Sequence, residues 1–180
     1  MFDQKMEAVF AGFGGQGVLF AGKVVAYAGL LAGREVSWLP SYGPEMRGGT
    51  ANCSVTLSDD PIGSRLVLAP NVLVAMNQPS FDKFLPDVVP GGLILFDETL
   101  ICPTSSLPEG ALAIPATKMA EDAGLAGLSN IVLVGALWEK ARFCERDVLD
   151  RAIDKCVSAS RAALVEKNKQ AIMLGIEATS

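Results

Sequence analysis

A glycine-rich stretch near the N-terminus is the first place where residue types and spacing could support chemistry. Residues 12–17 are Gly-Phe-Gly-Gly-Gln-Gly, which fits G-x-G-x-x-G between a predicted strand and a predicted helix. Glycines permit a tight turn with positive φ and let backbone N–H groups approach a phosphate at a helix N-terminus. From the motif alone, phosphate binding and simple strand–helix packing both stay open. The cofactor-binding candidates here are Gly12, Gly14, Gly15, Gln16 and Gly17.

A dinucleotide is a weaker interpretation of the same stretch. Nicotinamide and flavin sites place an acidic side chain at the end of the second strand, where it binds ribose hydroxyls. Here the second predicted strand ends in Trp38-Leu39-Pro40, and Glu35 lies at its other end. The sequence therefore favours an anion site or close packing over a dinucleotide site.

A second candidate segment, Ser-Tyr-Gly-Pro-Glu-Met-Arg-Gly-Gly-Thr, covers residues 41–50. In an open α/β sheet this loop is expected at the same carboxyl edge as the glycine turn. Arg47 could clamp a phosphate or carboxylate with two hydrogen bonds, and Glu45 could orient that arginine or bind a partner. Tyr42 is the third candidate. The alternatives are a subunit contact and a loop made rigid by Glu45–Arg47 contacts.

Other polar positions favour structural roles. Asn77 or Ser80 is predicted to cap a helix, and Ser129-Asn130 is predicted to form another cap. Asp97-Glu98 is a weak acid/base candidate because adjacent residues of an extended chain point to opposite faces. Without histidine, a serine or cysteine nucleophile lacks its usual base, so we assign no catalytic residue.

The cysteines do not predict a metal site. There are four, none forms a C-x-x-C pair, and the chain has no histidine. Iron–sulfur and zinc sites need clustered ligands, so no metal-binding residue is assigned. All four are predicted to be buried or half-buried free thiols, with Cys53 in a strand of the core.

Composition limits the function classes. The 180 residues suit one domain, 1–180, and 50% hydrophobic against 19% charged residues predicts a folded chain. That apolar content also predicts a sizeable contact surface. The net charge of -5, without a basic cluster, argues against nucleic-acid binding. No signal peptide and no apolar run of ~20 residues is visible, which predicts a cytoplasmic protein without a membrane span.

Strands and helices alternate along the first two thirds of the chain. Strands are predicted at residues 8–13, 34–39, 50–57, 72–76 and 93–96, and helices at 17–31, 78–85, 117–123, 130–140 and 145–165. This order predicts an α/β, three-layer Rossmann-like domain with a mainly parallel sheet and a helical C-terminal third. Residues 40–49 form a loop where a crossover helix would be expected, and residues 100–115 are predicted to be irregular.

Two motifs together carry a resemblance to a known family. Residues 12–18 and 41–50 resemble the gamma subunit of 2-oxoacid:ferredoxin oxidoreductases. Asp60-Pro61-Ile62-Gly63, Asn77-Gln78-Pro79, Pro90-Gly91-Gly92-Leu93 and residues 130–135 follow in the family's order, so the resemblance covers nearly the whole chain. The residues of the second motif are more similar to those of the 2-oxoglutarate and branched-chain 2-oxoacid branches of the family than to those of the pyruvate branch. We expect 2-oxoglutarate as the substrate.

The resemblance implies a subunit that is inactive alone. The partners would be alpha, beta and ferredoxin-like delta subunits, which would hold thiamine diphosphate, magnesium and the iron–sulfur clusters and pass electrons to ferredoxin. This chain would contribute to coenzyme A binding and to assembly, with Gly14 to Gly17 and Arg47 as the candidates for the coenzyme A phosphates. In isolation we expect a homodimer. The alternatives are a purely structural subunit and a stand-alone nucleotide- or flavin-binding oxidoreductase.

Overall fold

A six-stranded sheet forms the middle layer of the protein, for which a computed structural model describes residues 4–41, 50–104 and 106–180. The spatial order is β2-β3-β1-β4-β5-β6. Only β3 runs against the other five strands, so the predicted mainly parallel sheet is confirmed. The strands are β1 (Lys5–Phe13), β2 (Glu35–Ser41), β3 (Thr50–Ser58), β4 (Val72–Ala75), β5 (Leu93–Asp97) and β6 (Ala111–Ile114).

Six helices accompany this sheet in the described ranges. Two 3₁₀ turns, Leu85–Asp87 and Ala159–Arg161, extend α2 and precede α6. The helices are α1 (Val18–Leu31), α2 (Gln78–Phe84), α3 (Ala116–Asp122), α4 (Ser129–Ala141), α5 (Arg146–Cys156) and α6 (Ala163–Glu177). None of them is both long and apolar enough to cross a membrane.

The central strand β1 is buried on both faces, which explains its nearly continuous apolar sequence. Met6 and Phe10 pack into the larger core, on the side of α1, α4, α5 and α6. Val9 and Ala11 pack into the smaller core on the opposite face, where Phe81 of α2 meets Phe96 of β5 with ring centroids 5.1 Å apart. Helices on both faces of the sheet confirm the predicted three layers.

Small residues let α1 lie close to the sheet. A Cβ added to Gly22 would collide with the Cys53 thiol, and one added to Gly29 would collide with Leu57. Both partners belong to β3. Three elements therefore pack tightly together: β1, α1 and β3. The glycine-rich turn joins β1 to α1 at one end of this unit.

Three predictions about the chain's organisation were wrong or incomplete. Residues 100–115 contain the edge strand β6, which is only four residues long and follows Gly110 with φ 93°. The predicted helix 145–165 is two helices, because Val157 and Ser158 adopt extended ψ angles of 124° and 149°. The second of these helices continues to Glu177, beyond the predicted end.

The missing crossover helix also has a structural reason. β2 and β3 pair antiparallel, with Glu35 opposite Ser58 and Ser41 opposite Asn52. Antiparallel neighbours can be joined by a loop, whereas parallel neighbours need a crossover. Residues 42–49, which join these strands, lie outside the described part of the chain.

Candidate functional site

The glycine-rich turn lies at the carboxyl edge of the sheet, between β1 and α1. Gly15 has φ 98° and Gly17 has φ 74°, a region that L-residues with a Cβ rarely adopt. Gly12 is still part of β1, and a Cβ there would come within 2.7 Å of the Gln16 Oε1 and 2.9 Å of Val18. Two of the glycines thus allow the backbone turn, and Gly12 allows close packing.

Gln16 fixes this turn to the sheet with both ends of its side-chain amide. Its Oε1 accepts a hydrogen bond from the Phe13 backbone N–H at 2.6 Å, and its Nε2 donates to the Met76 carbonyl at 2.9 Å. Met76 follows directly on β4, so the turn is tied to the neighbouring parallel strand. The structure thus gives Gln16 a positioning function, and direct contact with a cofactor stays a prediction.

The N-terminus of α1 is open to an anion. Gly17 occupies the N-cap position, no side chain caps the helix, and the first intrahelical bond there runs from the Ala21 N–H to the Gly17 carbonyl at 3.0 Å. The N–H groups of the first turn have no partner within the helix, and the helix dipole places partial positive charge at this end. The turn therefore has the geometry that phosphate-binding glycine loops use.

Asn130 lies at this site, although its sequence neighbours predict a helix cap. Its Nδ2 donates to the Gly17 carbonyl at 3.0 Å, and a Cβ added to Gly17 would lie 2.5 Å from that nitrogen. The prediction that Ser129-Asn130 caps a helix was wrong, because Leu128 is the N-cap of α4 and no side chain caps it. No local pattern signals a contact between residues so distant in the sequence.

The strands on either side of the second motif, β2 and β3, end and begin at the same edge of the sheet. Phe13, at the end of β1, is paired with Thr50, and Ser41 ends β2 opposite Asn52 of β3. Both ends of the loop therefore start at the edge that carries the glycine turn, as expected. The candidate residues Tyr42, Glu45 and Arg47 lie outside the described residues.

Side chains at the ends of β4 and β5 serve the fold. Asn77 caps α2, accepting from the Ser80 N–H at 2.8 Å, which confirms the predicted cap. Asp97 is fully buried, and its carboxylate accepts from the backbone N–H groups of Thr99 and Thr117 and from the Thr117 hydroxyl at 2.5 Å. With its carboxylate occupied in this way, Asp97 joins β5 to the start of α3 rather than forming an acid/base pair with Glu98.

Three of the four thiols are not poised for nucleophilic chemistry. Cys53 is buried in the core as predicted, and burial raises its pKa to about 12. Burial also raises the pKa of Cys144 to about 12 and that of Cys156 to about 11. Cys102 is exposed, so the prediction that all four are buried or half-buried was wrong for this residue. Within the described ranges, no three Cys, Asp or Glu side chains are grouped to hold a metal ion.

Comparison with known proteins points to one family. The profile of "Pyruvate ferredoxin/flavodoxin oxidoreductase" matches residues 7–178. The 2-oxoglutarate synthase subunit KorC of Methanocaldococcus jannaschii is 35% identical over 178 residues, which cover 96% of this chain and 93% of that protein. The ketoisovalerate oxidoreductase subunit VorA of Methanothermobacter thermautotrophicus is 40% identical over 170 residues, or 93% of this chain. The chain spans only 35% of the length of VorA.

Two solved structures share the fold. The gamma subunit of a keto/oxoacid ferredoxin oxidoreductase from Geobacter sulfurreducens superposes with a TM-score of 0.82 and 29% identity, over 97% of this chain and 98% of that chain. The 2-oxoglutarate:ferredoxin oxidoreductase of Magnetococcus marinus, solved with 2-oxoglutarate, coenzyme A and succinyl-CoA, gives a TM-score of 0.87. At 23% identity, with 98% of this chain and 31% of that chain covered, the second similarity shows the fold alone.

Proposed function

Since this chain belongs to the gamma-subunit family of the pyruvate ferredoxin/flavodoxin oxidoreductases, we propose that it is the gamma subunit of a 2-oxoacid:ferredoxin oxidoreductase. The observation that carries this proposal is the match to KorC over 93% of that subunit's length. The same match covers 96% of this chain, so the shared sequence extends over nearly all of both. The same proposal places the protein in the cytoplasm.

The chemistry of the described residues fits a binding and assembly subunit. Three of the four thiols have raised pKa values, and the buried carboxylate of Asp97 is occupied by hydrogen bonds from threonines. The glycine turn, in contrast, presents backbone N–H groups at a helix N-terminus. We therefore assign thiamine diphosphate, magnesium and the iron–sulfur clusters to alpha, beta and ferredoxin-like delta partners, with ferredoxin as the indirect electron acceptor.

Coenzyme A is the proposed ligand of the turn. Its phosphates would be bound by backbone N–H groups of the turn from Gly14 to Gly17, other than the Gln16 N–H, which donates to the Phe13 carbonyl, and by the Arg47 guanidinium. Tyr42 and Glu45 belong to the adjoining loop. Asn130 would hold the Gly17 carbonyl, so that the turn keeps its positive-φ conformation. The Magnetococcus marinus enzyme with the same fold was solved with coenzyme A, which is consistent with this ligand.

An exposed apolar surface supports assembly with partners. Tyr27 and Leu30 of α1 and Trp38 of β2 line one shallow depression and are 36%, 59% and 37% exposed. Large apolar side chains grouped in this way mark protein–protein contacts more often than free surface. We propose that this surface contacts another subunit in the complex and pairs with a second copy when the chain is isolated.

The 2-oxoacid is proposed to be 2-oxoglutarate, because KorC matches over nearly its full length. The 40% identity to VorA favours ketoisovalerate as the second candidate. The complex can be purified under anoxic conditions through a tag on this chain. Dye reduction by the purified complex, measured with each 2-oxoacid in the presence of coenzyme A, then decides between the two substrates. The proposal is supported if partner subunits that contain thiamine and iron copurify with the chain and the complex reduces the dye with 2-oxoglutarate. A chain that elutes alone with a bound nucleotide or flavin contradicts it.

Coenzyme A contact is tested by Arg47→Ala in the purified complex. We expect KM for coenzyme A to rise about tenfold to a hundredfold, since a charge-assisted contact contributes about 1.5–3 kcal/mol, with little change in KM for the 2-oxoacid. Arg65→Ala, which removes an exposed arginine outside the site, is the matched control. An unchanged KM for coenzyme A in Arg47→Ala, with normal assembly, would rule out the arginine contact and favour the purely structural subunit.

A further inference from the structure

One edge of the sheet is formed by β2, and among the described residues only its inner side is paired, with β3. The strand has seven residues, Glu35–Ser41, and none of its described side chains is buried. Proteins usually protect such an edge with charges, proline or a covering segment, because its free N–H and C=O groups can bind another strand. In β2 the charged residue Glu35 and the proline Pro40 lie towards the two ends, which leaves the middle of the strand unprotected.

The hydrogen bonds of β1 determine which backbone groups of β2 face outward. The Ala11 carbonyl accepts from the Met76 N–H at 2.8 Å, so the backbone groups of Ala11 point to the β4 side. These directions alternate along a strand, so the groups of Phe10 point to β3, and those of its partner Cys53 point back to β1. Cys53 is also aligned with Pro40 of β2. Since Cys53 offers β2 no hydrogen bond, the backbone groups of Pro40 point away from the sheet.

Val36 and Trp38 have the same orientation as Pro40, because every second residue of a strand points its backbone groups the same way. Both offer an N–H donor and a C=O acceptor at the open edge, whereas Pro40 has no N–H. Their side chains line the depression that Tyr27 and Leu30 complete on the α1 side. Free backbone pairs beside an apolar surface are what an added β-strand requires.

We infer that a second copy of this chain binds this edge, with the two β2 strands paired antiparallel about a two-fold axis at Ser37. In this register Val36 of one copy lies opposite Trp38 of the other, so each N–H and C=O of both residues has a partner. On the α1 side, these two residues form cross-strand pairs of an aromatic and a β-branched side chain, which stabilise antiparallel strands. On the opposite face only the small Ser37 side chains meet at the axis.

The ends of β2 fit the same register. Pro40 falls outside the paired stretch, because the residue opposite to it is Arg34, whose N–H donates to the Gly29 carbonyl of its own copy at 3.0 Å. Glu35 lies beside Leu39 of the other copy, so the two Glu35 carboxylates are at opposite ends of the paired strands and do not repel each other. The edge is therefore complementary to itself in both hydrogen bonding and charge.

Hydrogen exchange of the isolated full-length chain tests this pairing. We expect light scattering to give twice the chain mass at high concentration and the single mass on dilution. In the dimer, NMR should show the Val36 and Trp38 amides exchanging at least about tenfold more slowly than in the dilute monomer. The Ser37 amide, which points to β3 in both states, is the internal control. A monomer at every concentration, or a dimer without this protection, would overturn the inference.

A proline at position 36 isolates the outward hydrogen bond. Val36→Pro removes an N–H that β3 does not use, so the strand should still form, as it does with Pro40. We expect dimerisation to weaken at least about tenfold, because each copy loses a hydrogen bond to the other. Val36→Ala keeps the N–H and should weaken it less than about threefold. Equal dimerisation of the two folded variants would contradict the pairing, and if Val36→Pro does not fold, hydrogen exchange of the wild type decides.

The outcomes separate this inference from the proposed function, on whose assembly surface it rests. If subunits that contain thiamine and iron copurify with the chain, but the isolated chain is monomeric, only the pairing of β2 is wrong. If the chain dimerises through β2 and no such subunit copurifies, the pairing stands and the subunit assignment is wrong.

Discussion

The Asn130 side chain and the Gly17 backbone meet across 113 positions of sequence, where the Asn130 Nδ2 donates to the Gly17 carbonyl at 3.0 Å. Gly17 is the N-cap residue of α1, and Asn130 lies in the first turn of α4. The same Gly17 carbonyl accepts the first intrahelical bond of α1, from Ala21. A helix of the C-terminal third therefore holds the N-terminal turn in place.

This contact predicts losses of stability that differ in size for two substitutions of Asn130. Asn130→Asp removes the donor and buries a carboxylate against a carbonyl, so we expect a loss of about 2–4 kcal/mol in the free energy of unfolding at pH 7. Burial raises the pKa of such a carboxyl, and the loss should shrink as pH falls through that pKa, because a protonated acid can donate to Gly17. Asn130→Leu should change stability by less than about 1 kcal/mol, since the unpaired Oδ1 disappears with the donor. Urea unfolding between pH 4.5 and pH 8 measures both, and equal losses at every pH would show that the buried carboxylate adds no cost.

The turn glycines should differ in the cost of an added methyl group. Gly15 and Gly17 both have positive φ, so alanine at either position should cost about 1–2 kcal/mol in backbone strain. At Gly15 nothing lies within 4 Å of the new Cβ, whereas at Gly17 the Asn130 amide is 2.5 Å away. Gly17→Ala should therefore be the more destabilising by at least about 1 kcal/mol and should weaken coenzyme A binding more. Thermal unfolding and calorimetry of the two variants test this order; a larger effect at Gly15 would contradict it.

These residues also show which features could be predicted from sequence. The apolar run of β1, the glycine turn and the small residues of α1 follow from local sequence, because strand period, positive φ and helix–sheet packing are local requirements. The cap at Asn77 is local too, and it was predicted. Asn130 was assigned to a cap because its own neighbours fit one, and only the packing of α4 against α1 places it at Gly17.

The wrong predictions have a similar origin. The strand β6 has four residues and is stabilised by parallel pairing with β5, which sequence-local patterns do not contain. The break between α5 and α6 falls at Val157 and Ser158, neither of which is a strong helix breaker. Two different packing partners require it, since α5 packs on α1 while α6 packs on α4.

The crossing of α4 and α6 depends on two glycines and predicts a strong response to alanine. A Cβ at Gly135 would collide with the Ile172 carbonyl, and one at Gly175 would collide with the Val132 carbonyl. Because both obstacles are backbone atoms, the helices must separate, and we expect Gly175→Ala to lower the free energy of unfolding by about 2–3 kcal/mol. Gly63→Ala is the matched control, since its Cβ meets nothing within 4 Å. Equal stability of the two variants in urea would show that the crossing adapts without cost.

Exposure predicts which thiol reacts first. Cys102 is the exposed cysteine, whereas Cys53, Cys144 and Cys156 have raised pKa values of about 11–12 and are therefore protonated at pH 8. A maleimide should label one thiol per native chain rapidly, and all four after unfolding in urea. Cys102→Ser should abolish the rapid phase while leaving the slower labelling unchanged. Rapid labelling that persists in this variant would mean that a buried thiol opens readily to solvent.

The buried thiol of Cys53 predicts how stability changes with alkaline pH. Burial raises its pKa in the folded protein from 9.0 to about 12, so above pH 9 the unfolded chain ionises this thiol while the folded chain does not. The stabilisation is fully present below pH 9 and is lost as pH rises towards 12. The advantage of wild type over Cys53→Ala in free energy of unfolding should therefore shrink by about 2 kcal/mol between pH 8 and pH 10.5, as urea unfolding can measure. A difference that stays constant over this range would attribute the alkaline loss of wild-type stability to other groups.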